Sequence, residues 1–522
     1  MPIIGAYWVY HERGRCLSWK QPGKCGACMD TCPNTVFARD KDGRIYVVNE
    51  LACVGCRICM DNCPYDAINV RSANPEDFTR GLWNLQTIEE IHYKAKTGKY
   101  FVRGFGTAGP IPHFDNLLVV PAQLAPPVPR DKYREECNME VVIGEGRVDK
   151  PLKLSMPIMF AAMSYGAVSK ECKMALAIAA ARMGTATDTG EGGTFPEEYY
   201  LAHGYRNEEE LKRGIKRYEP GGYLIVQWAS GRWGVSADYL RKCDAIEIKI
   251  GQGAKPGMGG HLLGEKVTEE IAKTRGIPVG TDCLSPCRFY DVYDVKEDLG
   301  KQVELLRDVA GYKKPIILKL GPGRIYDDVL LAAKAGVDAI AIDGMQGGTG
   351  AAPEAASQGA GIPTIGCVLP AVNALKDLGL YRKVKLILLG GIRNGRDVVK
   401  ALALGADCVA IASAAQVAMG CRVCMACHKG KCQYGIATQD PKLRARLKPE
   451  EASLQLVNFL KATIEEIKIL TMLAGHDDIR QLSVDDLRAL DVNTAAMTGV
   501  KLAGMEGYFP LESKRSVTQL DL

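Results

Sequence analysis

Eight of the 19 cysteines fall within the first 63 residues, and four more fall between residues 421 and 432. The first group is Cys16, Cys25, Cys28, Cys32, Cys53, Cys56, Cys59 and Cys63. The second, in GCRVCMACHKGKCQYG, is Cys421, Cys424, Cys427 and Cys432, with His428 among them. Thiols crowded at gaps of two residues favour a metal over a disulfide framework. A zinc ribbon separates two such pairs by a longer spacer. CVGCRICMDNCP instead sets Cys53, Cys56, Cys59 and Cys63 at C-x2-C-x2-C-x3-C-P. At that spacing three thiolates on one turn cap the irons of one iron–sulfur cluster, and the fourth serves the other cluster of a pair.

By that crossing, Cys32 completes the cluster of Cys53, Cys56 and Cys59, and Cys63 joins Cys25 and Cys28. The earlier repeat, CLSWKQPGKCGACMDTCP, is imperfect, because Pro22 stands where its first cysteine belongs. Cys16, on a longer loop, is the natural substitute. Without it that centre would be a three-iron cluster or carry an outside ligand. Residues 1–75 therefore read as a small α+β ferredoxin-like domain with two 4Fe-4S clusters, a module that passes single electrons. The thiols at 421–432 remain open between iron–sulfur and zinc on spacing alone.

These groups need a frame. From Pro157 onward, short apolar runs alternate with longer helical patterns: candidate strands at 157–163, 184–188, 223–229, 245–250, 315–320, 339–343, 384–391 and 407–413. Eight alternations of fully apolar strands with helices predict an α/β fold, a (β/α)8 TIM barrel over residues 151–445. A doubly wound sheet is the alternative, but no G-x-G-x-x-G follows an early strand. The segment 76–150 reads as a connection packing on the barrel, and 446–522 as a C-terminal helical extension with Ser483 capping a helix.

Chemical punctuation follows the strands, at the face where barrel enzymes keep their sites. SYGAVSK, TGEGG, SGRWG, GQGAKPGMGG, GPG and GMQGGTGAAP come after the first six in turn. Glycines there let the backbone approach a ligand closely. Gly390, Gly391 and Arg393 after the seventh strand, with Ser413 at the end of the eighth, occupy the usual phosphate position of such barrels. Lys319, on an otherwise apolar strand, is placed to balance the charge a flavin gains on reduction. Its alternative is a lysine snorkelling to water.

Composition is permissive. With 66 basic against 61 acidic residues, a net charge of +5 and no Lys/Arg-rich block, the clustered basic face of a nucleic-acid binder is missing. No run reaches the length of a membrane span and no secretory leader opens the chain, so the expectation is a soluble, cytoplasmic protein. Cys137, Cys172, Cys243, Cys283, Cys287, Cys367 and Cys408 are isolated and read as core residues, although Cys283 and Cys287 lie close to the expected substrate loop.

With SYGAVSKE, TGEGG, ASGRWGVSADYL, IEIKIGQGAKPG, GGTGAAP and the 421–432 cysteines in order, the chain resembles the FMN-binding synthase domain of glutamate synthases over roughly residues 115–445. It is most similar to the archaeal type, which carries its own ferredoxin module. The resemblance implies FMN in the barrel and reduction of 2-iminoglutarate, formed from 2-oxoglutarate and ammonia, to glutamate. It assigns flavin contacts to Ala162, Met163, Ser164, Gln252, Lys319, Gly347 and Gly348, and to Gly390, Gly391, Arg393 and Ser413. It places Lys255 and Arg275 on the substrate carboxylates, and Glu191 where ammonia meets the flavin. In the family three cysteines hold a 3Fe-4S cluster, matching Cys421, Cys427 and Cys432. Cys424 is surplus; as a ligand it would make the cluster 4Fe-4S.

The chain departs from the family at Met258, at Gln346 and in SPCRFYDVY, all near the expected substrate site. Those departures keep a second reading in view, a related flavoenzyme such as an N-methylglutamate synthase subunit. A third is an electron-transfer subunit without turnover. Neither a glutaminase nor a nicotinamide-binding domain is legible. The expected partners are a separate glutaminase subunit and a ferredoxin or flavoprotein electron donor, together with further copies of the chain in an oligomer.

Overall fold

The computed structural model describes residues 7–72, 99, 102–107, 111–124, 131 and 134–505. The expected connection through 76–98 and the chain ends lie outside the described residues.

Eight parallel strands form the centre, each where the apolar runs predict one. They are β1 (Ile158–Phe160), β2 (Ala186–Asp188), β3 (Tyr223–Ala229), β4 (Ala245–Lys249), β5 (Ile316–Leu320), β6 (Ala339–Asp343), β7 (Lys385–Leu389) and β8 (Cys408–Ile411). Neighbours pair in order from β2 to β8, and β8 then pairs with β1. The remaining seam, β1 to β2, is bridged from the Thr185 hydroxyl, which donates to the Ile158 carbonyl at 2.5 Å. The sheet is thus an eight-stranded TIM barrel. Its strands are buried on both faces because helices cover the outside, so they read as unbroken apolar runs rather than alternating ones.

Local chemistry fixes the outer helices. Lys170–Met183 is alanine-rich, starts at Ser169, whose hydroxyl accepts from the Cys172 N–H at 3.1 Å, and stops at Gly184 in the left-handed region. The long helix Pro449–Leu473 has proline at its first turn and Glu450 and Glu451 beside it, both favourable at a helix start. It packs against Lys170–Met183 and Gly395–Leu404, so it supplies the last outer helix of the barrel. Ser483 caps only a 3-10 turn, Val484–Asp486, not a helix. Asp486 closes a capping box within that turn, and Leu487–Ala489 then pairs with Leu117–Val119.

The N-terminal module has its own small core, in which Val9, Val36, Phe37, Ile45, Ile68 and Val70 pack between the cysteines. Its outer strands, Tyr7–His11 and Ile68–Ser72, pair antiparallel. The module meets the barrel at the 421–432 loop. There Lys429 Nζ donates to Asn34 Oδ1 at 3.1 Å, and Arg422 pairs with Asp61 at 3.3 Å.

Candidate functional site

A cavity of about 700 Å³ opens at the C-terminal ends of the strands, within the range of cofactor sites. It runs from Cys427 and Val423, across the barrel mouth, to Gly390, Gly391 and Ser413. All fourteen residues expected on sequence grounds to bind cofactor or substrate line it.

Glu191 sits at one end. Its carboxylate pairs with Lys249 Nζ at 3.2 Å and accepts from the Ser285 hydroxyl at 3.1 Å. Burial alone would raise its pKa, but Lys249, Arg275 and these hydrogen bonds outweigh burial and hold the carboxyl below its ordinary range. It is therefore an enclosed anion, not a solvated loop glutamate. Gly260 lies against it so closely that a β-carbon there would collide with the carboxylate. Two further cations face the same space. Arg275 donates to the Tyr165 carbonyl at 2.7 Å, and its buried Nε has no partner among the described residues. Lys255, 3 % exposed, donates to the Ala351 carbonyl at 2.9 Å. Burial, then Lys249, push the Lys255 pKa down to about 8 against the opposing pull of Glu191.

Lys319 lies deeper. Register pairs Lys249 with Lys319 across β4 and β5, and Gln227 with Glu247 across β3 and β4. Lys319 Nζ meets Glu247 at 2.7 Å, and Gln227 donates to the same carboxylate oxygen at 2.6 Å. Lys319 is 4 % exposed, so it does not snorkel. Burial would lower its pKa; Glu247 and Asp188 raise it above the usual lysine value. Asp188 is itself raised, first by burial and then by Glu247. The barrel floor thus holds a protonated lysine that lines the cavity.

At the other end the chain leaves room for a phosphate-bearing group. Gly390 and Gly391 have φ of 103° and 74°, open only to glycine at little cost. A β-carbon at Gly348 would fall 2.5 Å from the Ser413 hydroxyl. The Arg393 side chain is held by Asp115 at 2.6 and 2.9 Å and by Asp397 at 2.9 Å. It braces the loop, and the cradle is main chain and hydroxyl. A large cavity with a glycine cradle at one end and a buried cation in its floor fits FMN.

The cysteines converge as the crossing predicts. Cys28 feels the charge of Cys16, Cys63 and Cys25, so Cys16 lies beside the three thiols of the imperfect repeat's cluster. Cys59 feels Cys32, Cys56 and Cys53, and these four share one small hollow. Burial pushes the Cys28 thiol up to about 12 and Cys56 to about 11. Such thiols become thiolates when coordinated positive charge is present. Cys421, Cys424, Cys427 and Cys432 form a third quartet, and Cys424 also feels Cys56 of the neighbouring one. Among the described residues no three cysteine sulfurs lie within 4.8 Å of one another. A single tetrahedral zinc, with bonds of about 2.3 Å, needs them closer than that; a cluster several ångströms across does not.

Sequence reasoning missed Lys249 and the wall formed by Phe105, Gly106, Thr107 and His113. Lys249 had the same signal as Lys319, a lysine closing an apolar strand. The wall had none, since Val102–Phe105 gains meaning only by pairing with Thr349–Pro353. Of the suspected departures, the loop SPCRFYDVY reaches the site, because its Ser285 hydroxyl donates to Glu191. Gln346 accepts from the Thr364 N–H and hydroxyl, both at 2.8 Å, and donates to the Pro112 carbonyl at 2.9 Å. Met258 is exposed and off the cavity.

Residues 121–477 match the family described as the conserved region in glutamate synthase, and residues 23–67 match a 4Fe-4S dicluster domain. A glutamate synthase large subunit-like protein of Rhizobium meliloti is 42% identical, over 81% of this chain and 94% of its own. An archaeal-type glutamate synthase [NADPH] of Thermotoga sp. is 38% identical over 92% and 93%, and an archaeal glutamate synthase [NADPH] of Archaeoglobus fulgidus 36% over 97% and 96%. The match runs along nearly the whole length of these relatives, and the chain belongs to the glutamate synthase family.

Proposed function

We propose that the chain is the synthase component of a glutamate synthase, forming L-glutamate by reduction of the imine of 2-oxoglutarate and ammonia. The observation that carries this is the set of three cations, Lys249, Lys255 and Arg275, around one enclosed carboxylate, Glu191, at the cavity mouth. A dicarboxylate substrate needs two cationic anchors, and charge-assisted bonds to carboxylates are the strong ones. Lys255 and the unpartnered Arg275 Nε supply them. Glu191, kept ionised by Lys249, is suited to hold ammonium by a charge-assisted bond beside the carbon it attacks. The FMN that the cavity fits would supply the hydride. Ala162, Met163, Ser164, Gln252, Gly347 and Gly348 would border its ring, Gly390, Gly391 and Ser413 its phosphate. Protonated Lys319 would balance negative charge there.

The three cysteine quartets follow one another from the N-terminal module to the cavity wall, which supports a route for electrons from an external donor. A ferredoxin or flavoprotein subunit would be that donor, and a glutaminase subunit the ammonia source. Among the described residues no helix is long and apolar enough to cross a membrane, which is in keeping with a cytoplasmic enzyme.

The test is anaerobic reduction by dithionite followed by 2-oxoglutarate with ammonium. Flavin reoxidation with stoichiometric glutamate is expected. Reoxidation only with methylamine would favour the N-methylglutamate reading, and none at all an electron-transfer subunit. Gln346 lines the cavity with its amide tied to Thr364 and to the Pro112 carbonyl, and Met258 is exposed and off the cavity.

A further inference from the structure

We propose that Cys424 is a ligand, and that the centre beside the cavity is a 4Fe-4S cluster held by Cys421, Cys424, Cys427 and Cys432. This rests on reading these thiols as an iron–sulfur centre. It differs from the expectation that three of them hold a three-iron cluster with Cys424 standing aside.

The argument comes from the chain's own N-terminal module. Cys421-x2-Cys424-x2-Cys427 repeats the spacing of Cys53-x2-Cys56-x2-Cys59. The backbone repeats as well. In the N-terminal loop the left-handed positions are Gly55 at φ 68° and Arg57 at φ 58°. In the later loop they are Val423 at φ 51° and Met425 at φ 55°, at the same two offsets from the first cysteine. A β-branched residue with positive φ is a genuine outlier. Val423 adopts it where a loop serving only Cys421 and Cys427 would have no need to turn around Cys424.

The N–H groups aimed at sulfur agree. The Ala426 N–H points at the Cys424 sulfur, as the Ile58 N–H, also two residues on, points at Cys56. The Val423 N–H donates to Cys421 Sγ at 3.4 Å. Each loop then enters a short helical turn carrying its third cysteine, Ile58–Asp61 in one and Cys427–Lys429 in the other. Each is completed by a fourth thiol outside the loop, Cys32 from the preceding repeat in one and Cys432 shortly downstream in the other. The 421–427 loop is therefore a second copy of a three-thiolate loop, and its middle thiol holds the position that Cys56 holds in the first.

Placement gives the fourth ligand a use. Cys427 lines the cavity, whereas Cys424 faces Cys56 of the nearer N-terminal quartet. A four-iron cluster would put one ligated corner toward the incoming electron and another toward the cofactor, while a three-iron cluster would leave the corner at Cys424 empty.

The test is iron and sulfide analysis with EPR on the full-length protein, purified anaerobically, as wild type, Cys424→Ala and Cys421→Ala. Expected are about twelve irons per chain in the wild type, as three four-iron clusters require, and no oxidised three-iron signal. Cys424→Ala should lose about one iron per chain and gain that signal at about one spin per chain. A wild-type three-iron signal of the same size, unchanged in Cys424→Ala and abolished in Cys421→Ala, overturns the fourth ligand. Iron content equal in all three proteins overturns the iron–sulfur reading of this loop itself. Absence of the three-iron signal from a wild type holding about twelve irons supports the fourth ligand even if a variant fails to fold.

Discussion

Replacing Lys255 by methionine should separate substrate binding from folding. The ammonium is held near pKa 8 instead of the ordinary 10.5. At 1.36 kcal/mol per pH unit, that is about 3 kcal/mol of charge kept in an unfavourable place. A substrate carboxylate arriving beside it relieves the penalty, so Lys255→Met should weaken 2-oxoglutarate on the order of 10²-fold. The sign for stability is opposite. Because the folded pKa lies below the unfolded one, the penalty is fully present below pH 8 and is lifted as pH rises from 8 to 10.5. Ligand-free Lys255→Met should therefore be no less stable than wild type at pH 7. Calorimetry in buffers of different ionisation enthalpy provides a second reading. If the bound substrate restores an ordinary lysine pKa, binding takes up about 0.9 proton at pH 9 and about 0.1 at pH 7. Equal proton uptake at both values, with unchanged affinity in Lys255→Met, would refute the assignment of Lys255 to the substrate carboxylate.

Glu191→Gln should raise the ammonium KM about 10- to 100-fold and leave 2-oxoglutarate affinity within a few-fold, as expected on loss of a charge-assisted bond; steady-state titration of each substrate checks this, and equal losses for both would argue against it. Lys319→Met strands Glu247 at 2 % exposure and should destabilise the barrel by about 3–5 kcal/mol; chemical denaturation should show most of that recovered in Lys319→Met/Glu247→Leu. Gly104→Val would place a β-carbon 2.7 Å from Cys427 Cβ and 3.0 Å from its sulfur; iron analysis should show the 421–432 centre depleted and the N-terminal clusters intact.

All eight barrel strands were readable because each is a short apolar run buried on both faces, and most are bounded by glycine, so burial and sequence pattern coincide. The cavity was readable for the same reason, since its residues follow those strands directly. Lys249 was not, because only the register beside Lys319 and the approach of Glu191 give it a partner. Arg393 was legible as a member of the site but not in its role, which Asp115, 278 residues away in sequence, determines. The place of Cys424 needed backbone angles, which spacing does not contain. Ser483 carried a true capping signal, yet the strand after it took the chain away from helix.

Val102–Phe105 has a consequence for modularity. This strand lies just past the ferredoxin-like module, pairs with the Thr349–Pro353 loop strand, and bears on Cys427 through Gly104. The linker is thus also a wall. Cutting the chain between its two apparent domains would remove one side of the cofactor cavity and one support of the adjacent cysteine loop. A barrel evolved or engineered to take electrons from a different module must keep residues 102–107 as its own, so the transferable unit begins before the barrel's first strand.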